Sequence, residues 1–253
     1  MAGRPCSQAT INFTSPANTG GLPISSYTVN CNGVTVSGPS SPIPVSGLTN
    51  GTSYACTVQA TNPVGTSPVS GAVMVTPVAI AFTNNVYSRK THGAAGDKDL
   101  TVNGMAAING AITVEPRALG SGHRIIFRFN NPVSSVTSLS VLDAGMVSVG
   151  AASSSFSGND LIVTLTGIPD NKRVTVTATG VNGALTVSTS IGFLVGDVSN
   201  SQSVSAADIS AVKTRIGQPV GMGNNFLFDL DANGAITSSD VSAVKARSGL
   251  VLP

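Results

Sequence analysis

Eleven acidic residues are spread over 253, and five of them fall into two twelve-residue frames near the C-terminus. In the later frame Asp229, Asp231, Asn233, Thr237 and Asp240 occupy positions 1, 3, 5, 9 and 12, with Gly234 at position 6 and the Ala235 carbonyl at position 7. Oxygen donors at this spacing suit a hard cation: calcium takes about 6–8 oxygen ligands, and a glycine at position 6 lets the chain turn sharply around it. Position 9 of such a loop often acts through water, and Thr237 is expected to do so. Thirty-two residues earlier Asp197, Ser199, Ser201, Ser203, Ser205 and Asp208 follow the same frame at positions 1, 3, 5, 7, 9 and 12, with Gln202 in the glycine place. Only two of these carry charge, and affinity rises with ligand charge. The first loop is therefore expected to bind calcium weakly or to stay empty, its serines satisfying the loop through the backbone.

Each frame must be held by the segment after it, and these two segments nearly repeat: Asp208-Ile-Ser-Ala-Val-Lys213 against Asp240-Val-Ser-Ala-Val-Lys245. Ser205 and Thr237 each precede an aspartate by three residues, the spacing of a helix capping box. Ile209, Val212 and Ile216, with Val241 and Val244, give each short helix an apolar stripe, and neither stripe can be buried alone. So small a paired core needs a metal as its staple. A tandem of loop plus helix, without the entering helix of an EF-hand, resembles a dockerin over residues 196 to about 250. That resemblance implies a cohesin-type protein partner, met by loop positions 10 and 11 and by residues farther along each helix: Ala206, Ala207, Lys213 and Thr214 in one half, Ser238, Ser239, Lys245 and Ala246 in the other. The two sets differ, so two binding modes would be unequal. Alternatively Lys213, Arg215, Lys245 and Arg247 form a solvated face that complements the helix C-termini.

The composition agrees with an exported, mainly β chain: 9% charged residues, no tryptophan, and a net charge of +2. Its thirteen Lys and Arg never run longer than two, which argues against a nucleic-acid partner. No apolar run reaches the roughly 18 residues of a membrane span. No apolar leader follows Met1 either, and the chain is expected to be a fragment. Three domains are expected, at 1–77, 78–195 and 196–253.

Residues 1–77 alternate with period two between turns, as an antiparallel sandwich does. Gly47-Leu48-Thr-Asn-Gly51-Thr52-Ser-Tyr54 followed by Ala60-Thr-Asn-Pro-Val-Gly65 resembles a fibronectin type III domain with a short or missing first strand. The resemblance implies a corner tyrosine at Tyr54, its hydroxyl reaching the backbone near Leu48. It also makes the strands of Cys31 and Cys56 neighbours, as a disulfide or as two buried thiols. Cys6 is left over. The region holds no Asp or Glu, which removes acid–base catalysis from it.

Residues 78–195 offer short strands at Leu100, Ala111, Arg124, Leu139, Met146, Leu161, Arg173 and Leu185, with hairpin signals at Asn103-Gly104, Asn109-Gly110 and Asn182-Gly183. Tyr87 to Gly93 and Arg124 to Pro132 resemble the β-module that often precedes a dockerin. A glycosidase needs two carboxylates about 5–10 Å apart; of the candidates Asp97, Asp99, Glu115, Asp143, Asp160 and Asp170, Asp97, Asp143, Asp160 and Asp170 read instead as turn residues, and Glu115 stands alone in a strand. His92 and His123 read as loop or surface residues. Phe127 and Phe129 are expected in the core, leaving Tyr87 as the one aromatic in a polar context for a sugar.

The fold expected is mainly β: two antiparallel β-sandwich domains followed by a small α-helical calcium-binding domain. The function expected is that of a secreted or cell-surface, non-catalytic protein docking to a cohesin. The alternatives are a polysaccharide-binding or polysaccharide-degradation accessory, and an adhesin whose calcium repeat clamps the middle sandwich.

Overall fold

The computed structural model describes residues 7–118, 122–183 and 185–253, which pack as two compact units, Met1–Ile80 and Ala81–Pro253. Cys6 lies outside the described residues. No helix among those described is long and apolar enough to cross a membrane.

In the first unit β1 (Ser7–Ile11) pairs antiparallel with β4 (Ile43–Leu48). A second sheet is built from β3 (Val34–Gly38), β2 (Ser26–Cys31), β5 (Tyr54–Asn62) and β6 (Gly65–Thr66), with β7 (Val73–Val75) also on β5. Asn32 and Gly33, at φ 49° and 96°, make the tight turn between β2 and β3. Ile43, Val45 and Leu48 from one sheet meet Val29, Cys31 and Cys56 from the other, as period-two alternation requires. Cys31 lies opposite Cys56 in the β2–β5 register and is joined to it by a disulfide. The Tyr54 hydroxyl accepts the Thr49 N–H at 2.9 Å.

The second unit opens with a five-stranded antiparallel sheet in the order β13 (Ala151–Ser157), β14 (Asp160–Thr166), β11 (His123–Phe129), β8 (Phe82–Thr91), β9 (Asp97–Val102). The other sheet runs β10 (Thr113–Glu115), β16 (Leu185–Phe193), β15 (Lys172–Val181), β12 (Ser138–Leu142), and there β10 is parallel to β16. An all-antiparallel sandwich is therefore corrected at one edge. Phe127, Phe129, Val163, Val176 and Ile191 fill the space between the sheets. Of the three Asn-Gly pairs only Asn182-Gly183 closes a hairpin; the other two lie in the long connection from β9 to β10, which changes sheet. Met146–Val149 forms a turn with a single bridge at Ser148 instead of a strand.

The calcium repeat completes this unit. α1 (Ala206–Lys213) and α2 (Ser238–Lys245) are each eight residues long and start at the expected capping boxes on Ser205 and Thr237. The two halves exchange backbone bonds symmetrically: Gly217 N–H donates to the carbonyl of Ile236, at position 8 of the second loop, and Gly249 N–H to that of Val204, at position 8 of the first. Val212, Val241 and Val244 are buried between the helices, whereas Ile216 lies beyond the end of α1 and is 49% exposed, so the expected stripe is one residue shorter. The core does not stop at the repeat. Ile112, Val114 and Leu194 of the sandwich share one buried cluster with Val204, Phe226, Leu230, Ile236 and Leu252. The division expected at 195/196 is thus no break in packing.

Candidate calcium centre and docking face

The second loop leaves the short turn Asn225–Phe228 and enters α2. Ala232 and Gly234, at φ 56° and 98°, fold it back on itself. Asp229, Asp231 and Asp240 are brought together, with one carboxylate oxygen of each within 4.8 Å of the others. Backbone N–H groups hold them there. Asp229 Oδ1 accepts from Asn233 and Oδ2 from Gly234, at 3.2 and 2.9 Å. Asp240 Oδ1 accepts from Leu230 at 2.7 Å, and its Oδ2 accepts from Thr237 at 2.8 Å. Asn233 stands between Asp229 and Asp231, its N–H shared by both carboxylates. Thr237 caps α2, and Ala235 is exposed at the loop surface.

Three carboxylates this close repel one another. Burial raises the Asp231 carboxyl pKa, and the neighbouring Asp240 and Asp229 charges raise it further. Burial acts the same way on Asp229, but hydrogen bonds from His92 and Gly234 outweigh it and hold that pKa low. A divalent cation removes the repulsion, and an all-oxygen donor set of this charge fits calcium. The donor chemistry and the spacing of the three carboxylates thus agree with a calcium ion at this loop.

The first loop has the same backbone with less charge. Asn200 and Gln202 take φ 59° and 66° at positions 4 and 6, as Ala232 and Gly234 do. Asp197 Oδ1 accepts from the Ser201 N–H and from the hydroxyls of Ser199 and Ser201, and its Oδ2 accepts from Gln202 N–H at 2.7 Å. Asp208 is taken up by Ser199 N–H and by both groups of Ser205. Ser203 bonds Ser201 and bridges to Val251. The loop is closed by its own hydrogen bonds, and burial raises the Asp197 pKa. Gln202 at the glycine position also has a positive reason: its side chain accepts from Arg173 at 2.7 Å and anchors the loop to β15.

The eight residues expected to dock a partner, Ala206, Ala207, Lys213, Thr214, Ser238, Ser239, Lys245 and Ala246, are all exposed. The four basic residues do not form one solvated face. Lys213 and Lys245 point outward, while Arg215 lies 3.9 Å over the Phe228 ring and Arg247 is paired with Asp170 at 2.6 Å.

His92 and His123 are the principal correction. Both are wholly buried, not on the surface. His92 Nδ1 lies 2.7 Å from Asp229 Oδ2, so the sandwich reaches position 1 of the second loop. No local spacing announces a contact between residues 137 apart. His123 packs edge-on against Phe193, with Glu115 Oε1 3.7 Å away. Glu115 is buried in a bidentate pair with Arg117; burial would raise its pKa, but the Arg117 charge prevails and keeps it well below the ordinary range. The remaining carboxylates of the sandwich are likewise engaged: Asp97 with Arg124, Asp99 with Arg89, Asp160 with Arg128, Asp143 with Lys172 and its own turn. Tyr87 carries the Arg128 guanidinium on its ring at 5.4 Å.

No curated protein is significantly similar to this chain in sequence. Residues 195–247, which contain both loops and both helices, match the family model of the dockerin type I domain, a calcium-binding module.

Proposed function

We propose that this chain is an exported, non-catalytic component held on a scaffold by its dockerin module, with a cohesin-type domain seated on the open ends of α1 and α2. A single observation carries the reading: positions 10 and 11 of both loops, and Lys213, Thr214, Lys245 and Ala246 at the helix ends, are exposed, while the opposite side of the module is buried against the sandwich. The face left open is the one that docking needs. Lys213-Thr214 in one half and Lys245-Ala246 in the other give the two helices unequal chemistry, so one orientation of the receptor is favoured over the other.

The β-domains serve as spacers in this reading. The Tyr54 corner, two residues before the disulfide-bonded Cys56, supports a fibronectin type III-like first domain, and the disulfide suits an oxidising, extracellular location. A cleft of about 620 Å³ in that domain is lined by Phe13, Tyr27, Asn62 and Pro68. Its polar groups are already used internally, Tyr27 on Ser15 and Asn62 on Thr19, Val64 and Gly65, which favours packing over a polysaccharide-accessory role.

The test is binding of the full chain to purified type I cohesins by calorimetry, with calcium and with a chelator. Binding that requires calcium and weakens at least tenfold in a Lys213→Glu/Lys245→Glu variant supports the reading. Calcium-loaded, folded protein that binds no cohesin overturns it.

A further inference from the structure

The histidine that joins the two parts of the second unit has a defined proton. His92 Nε2 lies 3.2 Å from Arg117 Nη1. Arginine only donates, so Nε2 accepts, the ring proton sits on Nδ1, and it is donated to Asp229 Oδ2 at 2.7 Å. Asp229 Oδ2 also takes the Gly234 N–H at 2.9 Å, which fills both of its lone-pair directions. Oδ1, which carries one bond from Asn233 N–H, is the oxygen left for a cation.

What holds His92 is equally fixed. The Arg117 guanidinium is clamped by both oxygens of Glu115 at 2.6 and 2.7 Å and by the carbonyls of Ser88 and Lys98, and it lies 5.3 Å from the Phe226 ring centroid. His92, Glu115, Arg117 and Asp229 are all fully buried. The backbones close in as well: a Cβ at Gly93 would come 2.2 Å from the Asn233 carbonyl oxygen, and one at Gly234 would come 3.0 Å from that of His92. Leu230 O, at position 2 of the loop, accepts Ala118 N–H at 2.6 Å.

We infer that the sandwich supplies the outer shell of the calcium site, with His92 the positioning residue that turns the Asp229 carboxylate toward the ion. This rests on the calcium reading of the second loop. Outer-shell partners of metal ligands fix ligand orientation, and losing one costs about 10–100-fold in metal affinity. The dockerin module and the sandwich then form one calcium-coupled unit, in which filling the loop also stiffens the end of β8.

The experiment compares calcium affinity of the full chain by calorimetry for wild type, His92→Phe and His92→Asn. Phenylalanine keeps the ring against Phe226 but removes the donor; asparagine retains a donor near Nδ1. The expected result is a 10–100-fold weaker affinity for H92F with recovery of most of it in H92N. A role in packing alone would give the opposite order. Because His92 and His123 are the only histidines, a wild-type measurement decides the matter even where the variants do not fold: the ring signals of 15N-histidine-labelled protein are followed during calcium additions. The His92 signals should move with the calorimetric midpoint. H92F that is folded and binds calcium as tightly as wild type, or His92 signals that stay put while calcium binds, would overturn the inference. Wild-type protein that binds no calcium would instead bring down the calcium reading beneath it.

Discussion

The two halves of the repeat share a backbone and differ in what their side chains ask of it. Both loops take positive φ at positions 4 and 6, both close with a capping box, and each receives a glycine N–H from the other half at position 8. Yet the first loop satisfies two carboxylates with its own serines and backbone, whereas the second crowds three. The loops thus share a shape and differ in how many carboxylates they offer a cation. The halves also meet the sandwich differently. Asn200 and Gln202 tie the first loop down by side chains to Val114 N–H and Arg173, while the second meets the sandwich through Gly234, the Leu230 carbonyl and the His92–Asp229 bond.

The largest effect should come from breaking the second loop. Asp240→Ala removes one of the three clustered carboxylates and the capping interaction with Thr237 together. Calcium binding at this loop is expected to fall by more than 100-fold in calorimetry, and the calcium-free protein to lose about 1 kcal/mol from the missing cap in urea unfolding. The matched Asp208→Ala should lose a similar capping contribution with little change in the tight calcium isotherm. Equal calcium losses in the two variants would dissolve the distinction between the halves.

Exchanging the residues at position 6 should be asymmetric. Gly234→Gln places a side chain at φ 98° with its Cβ 3.0 Å from the His92 carbonyl oxygen, so backbone strain and a clash add; a cost of about 2–4 kcal/mol is expected. Gln202→Gly relieves a left-handed residue, worth about 1–2 kcal/mol, but gives up the charged bond from Arg173, worth about 1.5–3 kcal/mol. Its net change should be small, with thermal unfolding as the measure. Adding charge sharpens the same point: Ser199→Asp with Ser201→Asp should raise the calcium stoichiometry from one to two.

The loops, helices and caps were legible in the sequence because their partners lie within twelve residues of one another. The core strands were legible where Val and Ile alternate, as in β11, β14 and β15. β13 was not, because Ala-Ala-Ser-Ser-Ser-Phe-Ser is an exposed edge strand with little to bury. β8 was half hidden: Thr83, Asn84 and Asn85 near its start are polar, Asn84 takes φ 62°, and its pairing with β11 is irregular between Phe127 and Phe129. The burial of His92 and His123, the clamp on Arg117 and the seat of Leu252 over Gly192 depend on contacts across tens of residues, and no local pattern encodes them.

The smallest expected effect lies at position 1 of each loop, where two aspartates in equivalent places shift in opposite directions. Burial raises the Asp197 pKa despite hydrogen bonds from Ser201 and Gln202. At Asp229 burial is outweighed by His92 and Gly234, and the pKa is lowered. A carboxyl whose folded pKa is raised stabilises the fold below its ordinary value of 3.8, and that contribution is lost as pH climbs through the raised value. One whose folded pKa is lowered contributes above 3.8, and loses that contribution as pH falls through the depressed value. In calcium-free protein, urea unfolding from about pH 3 to 6 should therefore respond oppositely to the two substitutions. Asp229→Asn flattens the loss of stability toward acid, and Asp197→Asn makes stability rise more steeply with pH. The slope is the quantity to compare, since either asparagine also loses an acceptor oxygen and lowers stability at every pH. Parallel changes of slope would mean that His92 does not distinguish the two loops.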